Sequence, residues 1–271
     1  MTSYVTSADG TRIAYDRIGS GPDLILVDGA MCYRGNGPSG PLAEALADRF
    51  TVYTYDRRGR GDSGPGTDVS PDRELEDLEA LAKQTGGAPL LYGISSGAVL
   101  AADAAARGIG VPKLALYEAP LIVDRADREP VPADILEQVT ANIEAGRNGR
   151  AVADFMRLVG VPALAVAVMR LLPAWSKLKA VAPTLRYDFA FMRGLQQGQP
   201  LPTTRWSTVT MPTLVIDGGK SAGWMRTGNR SLAEVLPNAE YRTLDGQNHM
   251  VKPAVLAPVL KEFFAGPPSR G

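Results

Sequence analysis

The chain predicts an α/β fold in which an eight-stranded, mostly parallel sheet is flanked by helices and carries an inserted helical cap. Three observations predict it. Short apolar, β-branched runs alternate with stretches of helical periodicity. A Gly-x-Ser-x-Gly turn joins one of those runs to an alanine-rich helix. One long stretch, Leu121 to Trp206, then breaks the alternation with helical patterns alone.

Taken in order, Ser3 to Ser7 and Arg12 to Ile18 flank Asp9-Gly10, a tight-turn dipeptide, and predict an opening hairpin. Leu24 to Val27, Thr51 to Tyr55, Pro89 to Tyr92, Lys113 to Tyr117, Thr213 to Ile216 and Glu240 to Leu244 follow as short strands. Between them Pro41 to Asp48, Asp72 to Gln84, Ser96 to Arg107, Gly223 to Leu236 and Ala254 to Phe264 place apolar residues at helical spacing. Such crossovers join parallel strands in the right-handed sense. The tail from Gly266 to Gly271 is expected to fray.

Residues 1–120 and 207–271 are therefore assigned to the sheet domain and residues 121–206 to the cap, which is punctuated by Pro130, Pro132, Pro162, Pro173, Pro183, Pro200 and Pro202. Its apolar content exceeds what a short insertion needs for its own core, so part of it is expected to line a substrate pocket, with Trp175, Phe191 and Met192 as candidates. The longest apolar stretch, Val161 to Leu172, is interrupted by Pro162 and Arg170 and followed by Pro173. It suits a cap or core helix better than a membrane span.

Lys plus Arg and Asp plus Glu number 29 each, and no run of five like charges occurs, which argues against nucleic acid or an anionic membrane as partner. The first residues place no basic segment before an apolar one, so no secretory signal is expected. One cysteine, Cys32, cannot form an internal disulfide, and with a single histidine the chain lacks a Cys/His zinc pattern. A cytoplasmic protein without metal or organic cofactor is the expectation, and Cys32 reads as a small apolar side chain rather than a nucleophile. Monomer and homo-oligomer both stay open.

Gly93-Ile94-Ser95-Ser96-Gly97 stands directly after a strand and directly before a helix. There the glycines permit a sharp, strained turn that exposes the Ser95 hydroxyl, and the helix N-terminus faces the reaction. A serine hydroxyl needs a base to take its proton, and the only histidine is His249, in the loop between the last strand and the last helix. An oxyanion formed by attack needs N–H donors. The backbone of Ser96 offers one, and the turn after the third strand, Val27-Asp28-Gly29-Ala30-Met31, offers Gly29 or Ala30 as the other.

With these motifs, and with Asp56-Arg57-Arg58-Gly59-Arg60-Gly61-Asp62-Ser63-Gly64 matching a D-x-R-G-x-G-x-S turn, the chain resembles the α/β-hydrolase superfamily over nearly its whole length. That resemblance implies the α/β-hydrolase fold. Many members have His-Gly where this chain has Asp28-Gly29. Asp-Gly there, Ser-Ser-Gly at the elbow and a glutamate closing the sixth strand are similar to the zearalenone lactonase branch. This implies ester or lactone hydrolysis and adds Asp28 to the pocket candidates.

The third member of a triad stays open. Most of the superfamily carries an aspartate a few residues beyond the seventh strand. Pro212-Thr213-Leu214-Val215-Ile216-Asp217-Gly218-Gly219-Lys220-Ser221 aligns with that pattern and puts Ser221 in its place. Two carboxylates remain, Glu118 at the end of the sixth strand and Asp217, and the lactonase likeness favours Glu118. The leading expectation is a serine hydrolase that cleaves a small-molecule ester or lactone through an acyl-enzyme. The same constellation also serves C–C bond hydrolases, lyases and acyl transferases, and the missing aspartate leaves room for a hydrolase-like ligand-binding protein.

Overall fold

The sheet begins at a hairpin in which β1 (Ser3–Thr6) pairs antiparallel with β2 (Arg12–Gly19). Gly10 takes φ 84° in its turn, and the Asp9 carboxylate accepts the Thr11 N–H at 3.0 Å. This computed structural model describes residues 2–66 and 68–266, so the tail beyond Gly266 that the sequence expects to fray lies outside the described residues.

The remaining strands are β3 (Asp23–Val27), β4 (Thr51–Tyr55), β5 (Leu90–Ile94), β6 (Leu114–Tyr117), β7 (Thr213–Gly218) and β8 (Ala239–Leu244). They complete one sheet in the order β1-β2-β4-β3-β5-β6-β7-β8, with β2 antiparallel to both its neighbours and every other pair parallel. The eight-stranded, mostly parallel sheet is the predicted one. β5 runs two residues past its predicted end, because Gly93 and Ile94 continue the ladder before the chain turns.

Alternation along the buried strands sends side chains to two apolar layers. Leu24, Leu26, Val52, Tyr92, Tyr117, Leu214 and Ile216 pack with α1 (Ser39–Leu46) and α10 (Pro253–Ala265). Ile25, Val27, Leu91, Leu114, Leu116 and Val215 pack on the opposite face, with α2 (Pro71–Gln84), α3 (Ser96–Ala106) and α9 (Gly223–Val235). Ala98, Ala101, Ala102, Ala104 and Ala105 of α3 are buried, and small side chains are what let that helix lie so close to the sheet.

Between β6 and β7 lie α4 (Ile135–Glu144), α5 (Asn148–Leu158), α6 (Ala163–Met169), α7 (Ala174–Val181), a 3₁₀ turn (Ala182–Thr184) and α8 (Leu185–Met192). Val139, Val152, Val166, Trp175, Leu185 and Phe189 gather there in a cluster of their own, whereas Phe191, Met192 and Trp206 join the layer beneath the sheet. In the apolar stretch around α6 only Val166 is buried; Leu164 is 78% exposed and Leu171 85%. The helix is thus a surface element, and its sequence resembles a core helix only in composition. Among the described residues no helix is long and apolar enough to cross a membrane.

Candidate active site

Five connections at the C-terminal ends of the parallel strands build the site, which is where open α/β sheets bind ligands. After β5, Ser95 adopts φ 59° and ψ −132°, a region that costs a non-glycine residue strain. The glycines on either side are required by contact. A Cβ on Gly93 would stand 2.7 Å from the Ala98 Cα, and one on Gly97 2.6 Å from the Asp28 carbonyl oxygen. Ser96 opens α3, so its N–H has no intrahelical acceptor and points with the helix N-terminus toward the serine.

β5 and β6 pair with Ile94 opposite Tyr117, which brings the next residues, Ser95 and Glu118, to the same level. The Ser95 N–H donates to the Tyr117 carbonyl at 2.9 Å. Glu118 turns out of the strand with φ 47° and is fully buried. Its Oε2 lies 2.8 Å from His249 Nδ1, and its Oε1 accepts the Gly218 N–H at 2.8 Å and the Ser221 hydroxyl. Ser221, where the usual aspartate is absent, therefore braces the glutamate. Tyr117 donates its hydroxyl to the Asn248 carbonyl at 2.7 Å and so ties the histidine loop to the end of β6.

Asp217 goes elsewhere. It remains inside β7 and faces α9, where Arg226 Nε donates to Oδ2 at 3.2 Å and the Tyr241 hydroxyl donates to the same oxygen. The structure thus brings Glu118, and not Asp217, to His249.

Ser95, Ser96, Ala30, Glu118, His249 and Met192 line one cavity of about 470 Å³. No hydrogen bond joins Ser95 to His249 among the described residues, a looseness common in such pairs without substrate. Of the two candidate donors in the turn after β3, Ala30 lines the cavity and Gly29 does not. Gly29 instead passes beneath the serine, where a Cβ would lie 2.8 Å from Ser95 Cβ.

Three pocket candidates are corrected. Phe191 is buried on the other side of α8, beside the Arg57 guanidinium, because Asp188, Phe189 and Met192 occupy the arc of about 100° that faces the cavity. Trp175 is packed within the cluster of the inserted helices, with Arg170 over its ring. Asp28 points away from the cavity and accepts the Ser39 hydroxyl at 2.7 Å, and burial pushes its carboxyl up to about 6 against that bond and the pull of Arg60 and Arg57. Burial also pushes the Cys32 thiol up to about 12, so it stays protonated near neutrality, in keeping with the structural reading.

The arginine turn does more for the site than its motif suggested. Arg57 forms a two-bond pair with Glu74 and reaches the Asp28 carbonyl at 3.2 Å, while Arg60 donates to the carbonyls of Gly29 at 2.6 Å and Cys32 at 3.1 Å. Both arginines meet Asp188 of α8, which also accepts the Ser96 hydroxyl at 2.8 Å. Burial opposes ionisation of Asp188, but the two arginines outweigh it and hold the carboxyl below the usual range. One network thus grips both stretches that carry the candidate oxyanion donors. Sequence reading missed Asp188, since no local pattern marks a residue that closes a contact across 92 positions.

Comparison with known proteins agrees with this architecture. Residues 19–259 match the Alpha/beta hydrolase family. An alpha/beta hydrolase from Sphaerobacter thermophilus is similar in structure, with 47% identity, a TM-score of 0.87 and coverage of 97% of this chain and 100% of that one. N-formylmaleamate deformylase of Pseudomonas putida is 38% identical over 133 residues, 45% of this chain and 48% of that protein, so the match spans about half the relative's length. The enol-lactonase of Burkholderia xenovorans shares the fold at 17% identity, with a TM-score of 0.71 and coverage of 97% and 100%. The matched span, the 47% identity along nearly the full length and the sheet order agree: this chain belongs to the α/β-hydrolase family.

Proposed function

We propose that the protein is a serine hydrolase that cleaves an ester or lactone through an acyl-enzyme, without a cofactor. The observation that carries this reading is the meeting of Ser95 with a His249–Glu118 pair, Nδ1 to Oε2 2.8 Å, on one cavity. With Nδ1 donating to the glutamate, Nε2 is the nitrogen left to take the Ser95 proton. Ser95 Oγ attacks the carbonyl carbon, and the N–H groups of Ala30 and Ser96 hold the oxyanion. His249 returns the proton to the leaving oxygen. Water, deprotonated by the same imidazole, then attacks the acyl carbon and frees Ser95. Glu118 holds the imidazole in the productive tautomer.

The likeness to the zearalenone lactonase branch rests on short motifs and supports including lactones as substrates. The similarity to a deformylase favours a second reading, in which the same groups cleave a C–N acyl bond. The test is a panel of aryl esters, lactones and N-formyl amides with purified protein, coupled to fluorophosphonate labelling and mass spectrometry. Ester or lactone turnover with the label on Ser95 is the expected outcome. Turnover of the amides alone would move the assignment to the second reading. An unlabelled Ser95 with no turnover would make the protein a ligand-binding member of the fold.

A further inference from the structure

The cavity around Ser95 is largely apolar, with Ile122, Val131, Phe155 and Phe189 in its wall, yet two cations reach it. Arg128, in the segment between β6 and α4, is half-buried, and its guanidinium carbon lies 4.1 Å from the centroid of the Trp224 ring. Nη2 donates to the Leu158 carbonyl at the end of α5, where the helix dipole favours positive charge. These contacts position the guanidinium but do not neutralise it. Among the described residues Arg128 has no carboxylate partner, and most of its five donors stay available. Burial alone lowers its pKa, with no acid to oppose the effect.

Lys220, exposed on the turn after β7, lines the same cavity and also forms no ion pair among the described residues. The two carboxylates in the wall are already engaged. Glu118 is held by His249, Ser221 and Gly218, and Asp188 by Arg57, Arg60 and Ser96. The uncommitted charge of the cavity is therefore positive, and the half-buried guanidinium has lost part of its water without gaining a counter-charge among the described residues. A guanidinium held over an indole ring with free N–H groups can offer its fork to a carboxylate.

We propose that Arg128, assisted by Lys220, is an anion subsite, and that the substrate carries a carboxylate in addition to the acyl bond cleaved. The proposal rests on the hydrolase reading for its second half only, and the test separates the two. In the first arm, calorimetry at low salt measures binding of phenylacetate, glutarate and neutral phenylacetamide to Ser95→Ala protein, which needs no turnover. At least one carboxylate is expected to bind at least about tenfold more tightly than the amide, with the advantage lost in Arg128→Gln, partly kept in Arg128→Lys and weakened about threefold in Lys220→Gln.

In the second arm, kcat/KM is compared for mono-aryl esters of four- to eight-carbon dicarboxylic acids and their methyl-capped diesters. Arg128→Gln should lower the acid esters by about tenfold or more relative to its effect on the capped esters. Equal losses on both series, or binding that does not distinguish acid from amide, would overturn the subsite. Carboxylate binding that depends on Arg128 in a protein that turns over no ester would keep the subsite and remove the hydrolase reading. Ester turnover without any preference for the acid would do the reverse.

Discussion

Glu118 and Asp217 are neighbours at one level of the sheet, both fully withdrawn from water, yet they belong to two different environments. β6 stops at Tyr117, paired with Ile216, and Glu118 leaves the pleat with φ 47° to meet His249. Asp217 is still a paired residue of β7, opposite Thr243, so strand alternation turns it toward α9 with Val215. Around Glu118 both carboxylate oxygens are satisfied, by the imidazole on one side and an N–H and a hydroxyl on the other. Around Asp217 one oxygen takes both Arg226 and Tyr241, and Oδ1 has no hydrogen-bond partner among the described residues. A carboxylate's place in the chain thus matters less here than whether its residue is inside or just beyond the last paired position.

Mutations can break this comparison, and Ser95→Ala sets its upper limit. On an activated ester, kcat should fall on the order of 10⁶-fold with the circular dichroism unchanged, and His249→Ala should lose about as much. Full activity in a folded Ser95→Ala protein would remove the whole scheme. Glu118→Gln keeps the shape but removes the carboxylate that faces the imidazole, so on the proposed scheme kcat should fall about 10⁴-fold.

Ser221→Ala removes one of the bonds to Glu118 while leaving the Gly218 N–H in place, and a loss of about three- to tenfold in kcat is expected, with KM little changed. Asp217→Asn should change kcat by less than about threefold. Its effect belongs to stability, a loss of about 1 to 2 kcal/mol in urea unfolding, because Arg226 and Tyr241 lose a charged acceptor. A large kcat loss in Asp217→Asn beside a near-normal Glu118→Gln would invert the comparison.

Most of the frame was legible locally. Alternating runs placed every strand to within about two residues, because buried parallel strands need continuous apolar, β-branched segments and the chain has few others. Gly93 and Gly97 marked the elbow since no larger residue fits beside Ala98 and Asp28. The pocket was much less legible. Phe191 and Met192 are adjacent and both apolar, and only the docking of α8 decides that one meets Arg57 and the other the cavity.

By itself the sequence determined the order of the strands along the chain, the turn that carries Ser95 and the loop that carries His249, because each depends on residues within a few positions or on a residue type that occurs once. Only the tertiary structure decided which carboxylate meets His249, that Ser221 braces it, that Asp188 joins α8 to Arg57, Arg60 and Ser96, and that Arg128 reaches the cavity without a carboxylate partner among the described residues. Those contacts link residues about a hundred positions apart, or join segments of the insertion to the sheet. Their geometry follows from strand register and from which face of a helix is buried, and no local pattern of residues encodes either across such a distance.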